Sequence, residues 1–144
     1  KGAYGSPNGT WYNFPNGSDT APSSISSGTS GAVYGQNSFA GPADINNAGS
    51  LSAWGTMAQG GNAWEWIETA LDAINNTPSE NRYLRGGGWD NNSSTLDAVN
   101  PSSNDPSFEF NYIGFRVAII PEPSVLSFLT VGLGIVLRRR RRTV

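Results

Sequence analysis

Gly60-Gly61-Asn62-Ala63-Trp64-Glu65-Trp66 places two glycines, two tryptophans and one carboxylate within seven residues. Gly61 and Asn62 tolerate positive φ, so the backbone can turn sharply there and aim carbonyl oxygens inward. Trp64 and Trp66 then share one face of an extended segment, and Glu65 takes the other. A tight loop offering carbonyls beside one fixed carboxylate suits a hard, oxygen-seeking cation such as Ca²⁺. The same residues suit a turn leading into a strand whose tryptophans fill a core, since indole burial dominates core energetics. Spacing alone leaves both readings open.

On the C-terminal side of this stretch, residues 66–74 read as a short helix, with Trp66, Ala70 and Ile74 four apart, or as a strand. Asn75-Asn76-Thr77-Pro78-Ser79 breaks the element and predicts a hairpin-like return through residues 82–84. Arg85-Gly86-Gly87-Gly88-Trp89 follows, with three glycines that permit close backbone approach. It lacks the lysine and hydroxyl residue of a phosphate loop. Residues 90–107 are polar and predict a long surface loop, while 108–110 and 112–120 predict strands. Arg116 is a candidate structural ion-pair partner for one of the carboxylates.

On the N-terminal side, residues 1–33 are rich in Gly, Ser, Asn and Pro, broken by Tyr4, Trp11, Tyr12 and Phe14. Asn16-Gly17 signals a turn, and 23–31 reads as a flexible connector. Val33, Tyr34 and Phe39 form a short apolar-aromatic piece before a second turn at Asn46, Asn47 and Gly49.

The 144 residues suffice for about one domain with a modest core. Hydrophobic residues make up 37%, against 18 Gly and 9 Pro, which favours a loop-rich or β-rich fold over a helical bundle. Sixteen aromatics supply material for a core. Opening on Lys1, the chain reads as the C-terminal part of a longer protein or a processed product. With neither Cys nor His, these residues offer no disulfide, thiol nucleophile, Cys/His zinc site or histidine-dependent triad. Residues 1–122 carry four basic groups against eleven acids, which disfavours nucleic-acid binding by the main body.

The other five basic residues are the run Arg138, Arg139, Arg140, Arg141 and Arg142. Before them, residues 125–137 form a 13-residue uncharged apolar segment, read as a hydrophobic helix, preceded by Pro121-Glu122-Pro123. At 1.5 Å per residue that helix spans roughly 20 Å, short of the ~30 Å hydrocarbon core. The arginines would stay on the cytoplasmic side and leave the body outside.

Three motifs carry a family resemblance. Gly61-Asn62-Ala63-Trp64-Glu65-Trp66, Arg85-Gly86-Gly87-Gly88-Trp89 and Gly114-Phe115-Arg116-Val117, in that order, resemble the C-terminal half of the formylglycine-generating (sulfatase-modifying factor) family over roughly residues 34–118. The resemblance implies an irregular α+β fold of the C-type-lectin-like kind, supported by bound calcium. Carried over by position, it implies a Ca²⁺ site at the carbonyls of Gly60, Gly61 and Ala63 and the carboxylate of Glu65. Active members use two copper-binding cysteines shortly after the second motif, and, read without gaps, those positions fall on Asn91 and Leu96. Neither donates the thiolate that soft copper favours, so no copper site is expected. Relatives that oxidise thiol-histidine substrates rely on histidine-bound iron, which these residues also lack. Gly88 stands where the second motif usually has serine.

The tail is similar to a bacterial PEP-CTERM sorting signal, which divides the chain into a family domain at 1–120 and a sorting signal at 121–144. That resemblance implies export, transient anchoring in the inner membrane through 125–137, and removal by an exosortase-type protease. Together these readings predict a non-catalytic, calcium-stabilised module of the cell envelope or extracellular matrix, with a carbohydrate or protein ligand. Residues 90–107 are the candidate ligand loop on that reading. The alternative is an oxidase of the formylglycine-generating type whose catalytic residues lie outside these 144, or in which Asp90, Asp97, Asp105 and Glu109 ligate a hard metal.

Overall fold

The computed structural model describes residues 4–117. The stretch 60–66 leads into the central strand of a four-stranded sheet. Two short parallel strands come first in the chain, β1 (Ser24–Ile25) and β2 (Ala32–Val33). The main sheet consists of β3 (Trp64–Ala70), β4 (Arg82–Arg85), β5 (Ser102–Asn104) and β6 (Ile113–Gly114), in the spatial order β5-β4-β3-β6. Single 3₁₀ turns at Ile45–Asn47 and Ser93–Leu96 are the only helical elements among the described residues.

Residues 64–70 form a strand rather than a helix. Trp, Ile and Thr favour the extended backbone, and both edges of the segment are paired. β4 pairs antiparallel with β3, matching Glu65 to Arg85 and Trp66 to Leu84, and a register shift follows before Ala70 meets Arg82. The hairpin-like return predicted from the Asn-Pro break is therefore present. Arg82 fastens the connection, donating to Glu68 O (2.8 Å), Asn75 Oδ1 (2.7 Å) and Thr77 O (3.1 Å) and pairing with Glu80 (3.0 Å). β6 lies parallel to β3, with Trp64 opposite Ile113 and Glu65 opposite Gly114.

Four expectations change. The connector at 23–31 contains β1, and Ala32 N–H donates to Ser23 O (2.9 Å). The long loop at 90–107 holds the second 3₁₀ turn and β5. Its first half is fixed to the frame: Leu96 is fully buried, Tyr4 Oη donates to Leu96 O (3.0 Å), Ala98 N–H donates to Asn13 O (2.9 Å), and Arg85 donates to Ala98 O. Residues 108–110 form no strand; Phe108, Phe110 and Tyr112 instead stack in sequence, with centroids 5.8 and 5.0 Å apart. Within 112–117, strand is confined to Ile113–Gly114. The hydrophobic helix expected at 125–137 falls outside the described residues.

The core is small and built around backbone. Val33, Ala48, Ala70, Leu84, Trp89 and Leu96 are buried, together with Gly60, Gly61 and Gly86 to Gly88. Gly61 illustrates why side chains are excluded. Its φ is +76°, and a Cβ there would sit 2.3 Å from Val33 O. Conformation and space both demand glycine.

Candidate functional site

The three motifs, far apart in sequence, meet at one hub. Gly61 N–H donates to Gly86 O (2.6 Å), Trp89 N–H to Asn62 O (3.1 Å) and Trp64 N–H to Tyr112 O (2.8 Å). Asn62, at φ 70°, turns the chain and ties in a fourth segment. Its Oδ1 accepts from Ala43 N–H (2.7 Å) and its Nδ2 donates to Ala43 O (3.2 Å), a two-point bond that imitates a strand partner. Trp64 and Trp66 are only half-buried; Trp89, with Nε1 donating to Ser38 O (3.3 Å), is the indole that fills the core.

Glu65 leaves the opposite side of β3 from the tryptophans and meets Arg116. The guanidinium donates from Nε to Glu65 Oε1 (2.5 Å), from Nη1 to Met57 O (2.7 Å) and from Nη2 to Ala58 O (2.5 Å). The ion-pair role read for Arg116 is thus realised, with the carboxylate of the first motif. Glu65 still has its pKa raised: desolvation outweighs the opposing pull of Arg116.

The other candidate donors for a hard cation are backbone carbonyls of the preceding turn. The carbonyls of Gly60 and Ala63 accept none of the described turn and loop hydrogen bonds, while Gly61 O accepts one from Ala63 N–H (2.9 Å) and keeps its second lone pair. A Cβ on Gly86 would lie 3.3 Å from Gln59 O and 3.8 Å from Ala63 O, so two carbonyls face the space that the glycine leaves. Together with Glu65 these are hard oxygen donors of the kind Ca²⁺ takes. Among the described residues no three acidic side chains cluster. The acids considered as hard-metal ligands are dispersed on turns: Asp97 Oδ1 accepts from Val99 N–H (3.0 Å), Asp105 Oδ1 from Ser107 N–H (2.8 Å), and Asp90 Oδ1 from Asn91 Nδ2 (3.3 Å).

A family model, the sulfatase-modifying factor enzyme 1-like domain, matches residues 5–120. The chain belongs to this family. Neither a curated protein nor a solved structure matches it. The match begins some thirty residues earlier than the sequence motifs suggested, because the N-terminal loops carry no such signature. The family fits the C-type-lectin-like fold expected from the motifs, and the strand-rich, nearly helix-free architecture is consistent with it.

Within this sulfatase-modifying-factor-like domain, Asn91 and Leu96, on which the resemblance read without gaps puts the copper-binding cysteines, have other duties. Asn91 Oδ1 accepts from Gly88 N–H (2.8 Å), and Asn91 O accepts from Gly35 N–H (2.7 Å). Leu96 lies against the glycines of the first two motifs, its methyls 3.5 Å and 3.3 Å from where Cβ atoms of Gly60 and Gly87 would stand. One position closes a turn and the other fills the core. The contacts of Asn62 and the pairing of Arg116 with Glu65 in particular were not legible in the sequence, because each joins residues distant along the chain.

Proposed function

We propose that the protein is an exported, non-catalytic member of the sulfatase-modifying factor enzyme 1-like family, acting as a binding or structural module of the cell envelope or extracellular matrix. The observation that carries this reading is the use made of Asn91 and Leu96. An amide that closes a turn and an aliphatic side chain at 0% exposure cannot hold soft copper or activate a thiol substrate. The frame around them keeps its motif glycines, its Glu65–Arg116 pair and its paired strands.

Calcium at Glu65 and the carbonyls of Gly60, Gly61 and Ala63 stabilises that frame on this reading. The raised Glu65 pKa supports it, since a carboxylate incompletely compensated by Arg116 gains from a second cation. The domain at 1–120 is delivered by the signal at 121–144: Pro121-Glu122-Pro123, the apolar run at 125–137 and the arginines from Arg138 to Arg142. The short apolar run fits transient anchoring in the inner membrane and removal by an exosortase-type protease better than a lasting span.

Incubating the protein with a cysteine-containing sulfatase peptide, copper and oxygen tests the central claim. Mass spectrometry should return the peptide unchanged, and any formylglycine product would overturn it. For the metal, added Ca²⁺ should raise the melting temperature of the wild type and leave that of Glu65→Ala unmoved.

A further inference from the structure

Away from the hub, two tryptophans from separate loops border one cleft. Trp11 is 61% exposed and Trp54 46% exposed. They line a cavity of about 200 Å³ together with Gly5, Ser6, Gly9 and Thr10. Exposing one indole needs no explanation, but two converging on a single hollow do.

Each tryptophan stands on a turn braced by a buried serine. Ser6 and Ser52 are the only buried polar residues among those described, at 9% and 7% exposure. Ser6 N–H and Oγ both donate to Thr10 O (2.9 and 3.1 Å), and Gly9 N–H donates to Ser6 O (3.0 Å), which fixes the turn whose Gly5–Trp11 bridge carries Trp11. Ser52 Oγ accepts from Trp54 N–H (3.2 Å) and Thr56 N–H (3.3 Å) and bonds Thr56 Oγ1 (2.7 Å). The Leu51–Met57 bridge closes that second turn. The two turns are neighbours through the adjoining hairpin, where Gly17, near the tip of the Asn-Gly turn, would bring a Cβ to 3.5 Å from Ala53 Cβ. Burying a hydroxyl is favourable only when it is hydrogen-bonded. Here that arrangement stiffens the two loops that present indoles to solvent.

We infer that this cleft binds a neutral sugar ring, one residue of a polysaccharide, between Trp11 and Trp54. The inference rests on the binding-module reading and gives that module a site and a ligand class. None of the described residues lining the cleft carries a charge, so it offers nothing to a phosphate, a carboxylate or a free ammonium. Pyranose rings present apolar C–H faces to indoles and hydroxyl edges to polar groups, and the exposed Thr10 side chain on the cleft wall supplies a hydroxyl for the latter. The volume falls below the roughly 300–1,000 Å³ of sites that enclose drug-sized ligands, which matches one ring held while the chain runs on into solvent. A quaternary ammonium could also face two indoles, but the lining has no carboxylate to complement its charge.

Titration of the full chain with neutral hexasaccharides (β-1,4-glucan, α-1,4-glucan and β-1,4-mannan), read by tryptophan fluorescence and calorimetry, tests this. At least one should bind, with affinity reduced about tenfold or more in Trp11→Ala and in Trp54→Ala, as for a truncated aromatic anchor. Both variants should keep the wild-type melting temperature, and Trp11→Phe should retain part of the affinity. Binding that ignores both alanine variants overturns this site but leaves the module reading standing. Binding of choline in preference to every sugar overturns the ligand class. No binding to any of the three glycans overturns the inference, while the peptide assay for formylglycine independently decides the non-catalytic reading.

Discussion

The hub at 60–66 and the paired turns carrying Trp11 and Trp54 solve opposite problems. The hub buries backbone: its glycines sit where no Cβ fits, and its one charged side chain is held by Arg116. The paired turns bury serine hydroxyls and leave large apolar side chains outside. One arrangement fixes a frame and the other holds a surface ready. The difference teaches that Trp11 and Trp54 are held outward by turns stiffened from beneath, while the hub keeps its backbone inside.

The largest effect that would break this contrast is at Gly61. Gly61→Ala must accept positive φ, at about 1–2 kcal/mol, and displace Val33 O, at about 1–3 kcal/mol more, so urea unfolding should show a loss of roughly 2–5 kcal/mol. An unchanged midpoint would mean that the hub is not sterically fixed. Next comes Arg116→Ala, which leaves Glu65 without its partner and frees the carbonyls of Met57 and Ala58. A loss of about 1–3 kcal/mol is expected, together with a further rise in the Glu65 pKa that carboxyl NMR would detect. If calcium binds as proposed, it should restore more stability to this variant than it adds to the wild type.

On the other side of the comparison, Ser52→Ala should cost about 0.5–1.5 kcal/mol and quicken amide exchange at Trp54 and Thr56 without altering exchange at Trp64. Equal changes at both places would show that the turn and the hub unfold as one unit. The smallest effect is on pH dependence. Burial raises the folded-state pKa of Glu65, so its contribution is full below the unfolded carboxylate value and is lost as pH rises through the folded one. Asp105, whose carboxyl is lowered by the Ser107 backbone N–H and then its hydroxyl, works the other way: its contribution is present above the unfolded value and lost as pH falls through the folded one. Relative to the wild type, Glu65→Gln should therefore gain stability as pH rises from acid to neutral and Asp105→Asn should lose it, differences that melting curves across that range would read.

Legibility followed the range of the interactions. The Asn16-Gly17 turn, the hairpin after Ala70 and the special place of 60–66 were readable, because turn chemistry and glycine requirements are local. The strand at 64–70 was ambiguous with a helix, since Trp66, Ala70 and Ile74 satisfy both periods over so short a span; pairing on both edges decided it. The stretch 90–107 is largely surface, as its polar composition implies, but that composition hides one buried leucine, and Leu96 shows its role only when Gly60 and Gly87 lie beside it.

The sequence by itself determined the family, through three short motifs in order, and it excluded cysteine and histidine chemistry within these residues. Those are properties of residue type and spacing. Only the tertiary structure decided that Glu65 pairs with Arg116, that Asn91 and Leu96 serve the frame, and that Trp11 and Trp54 share a cleft. Glu65 and Arg116 are 51 positions apart, Gly35 and Asn91 56, Gly60 and Leu96 36, and Trp11 and Trp54 43, and such contacts depend on where the chain returns in space.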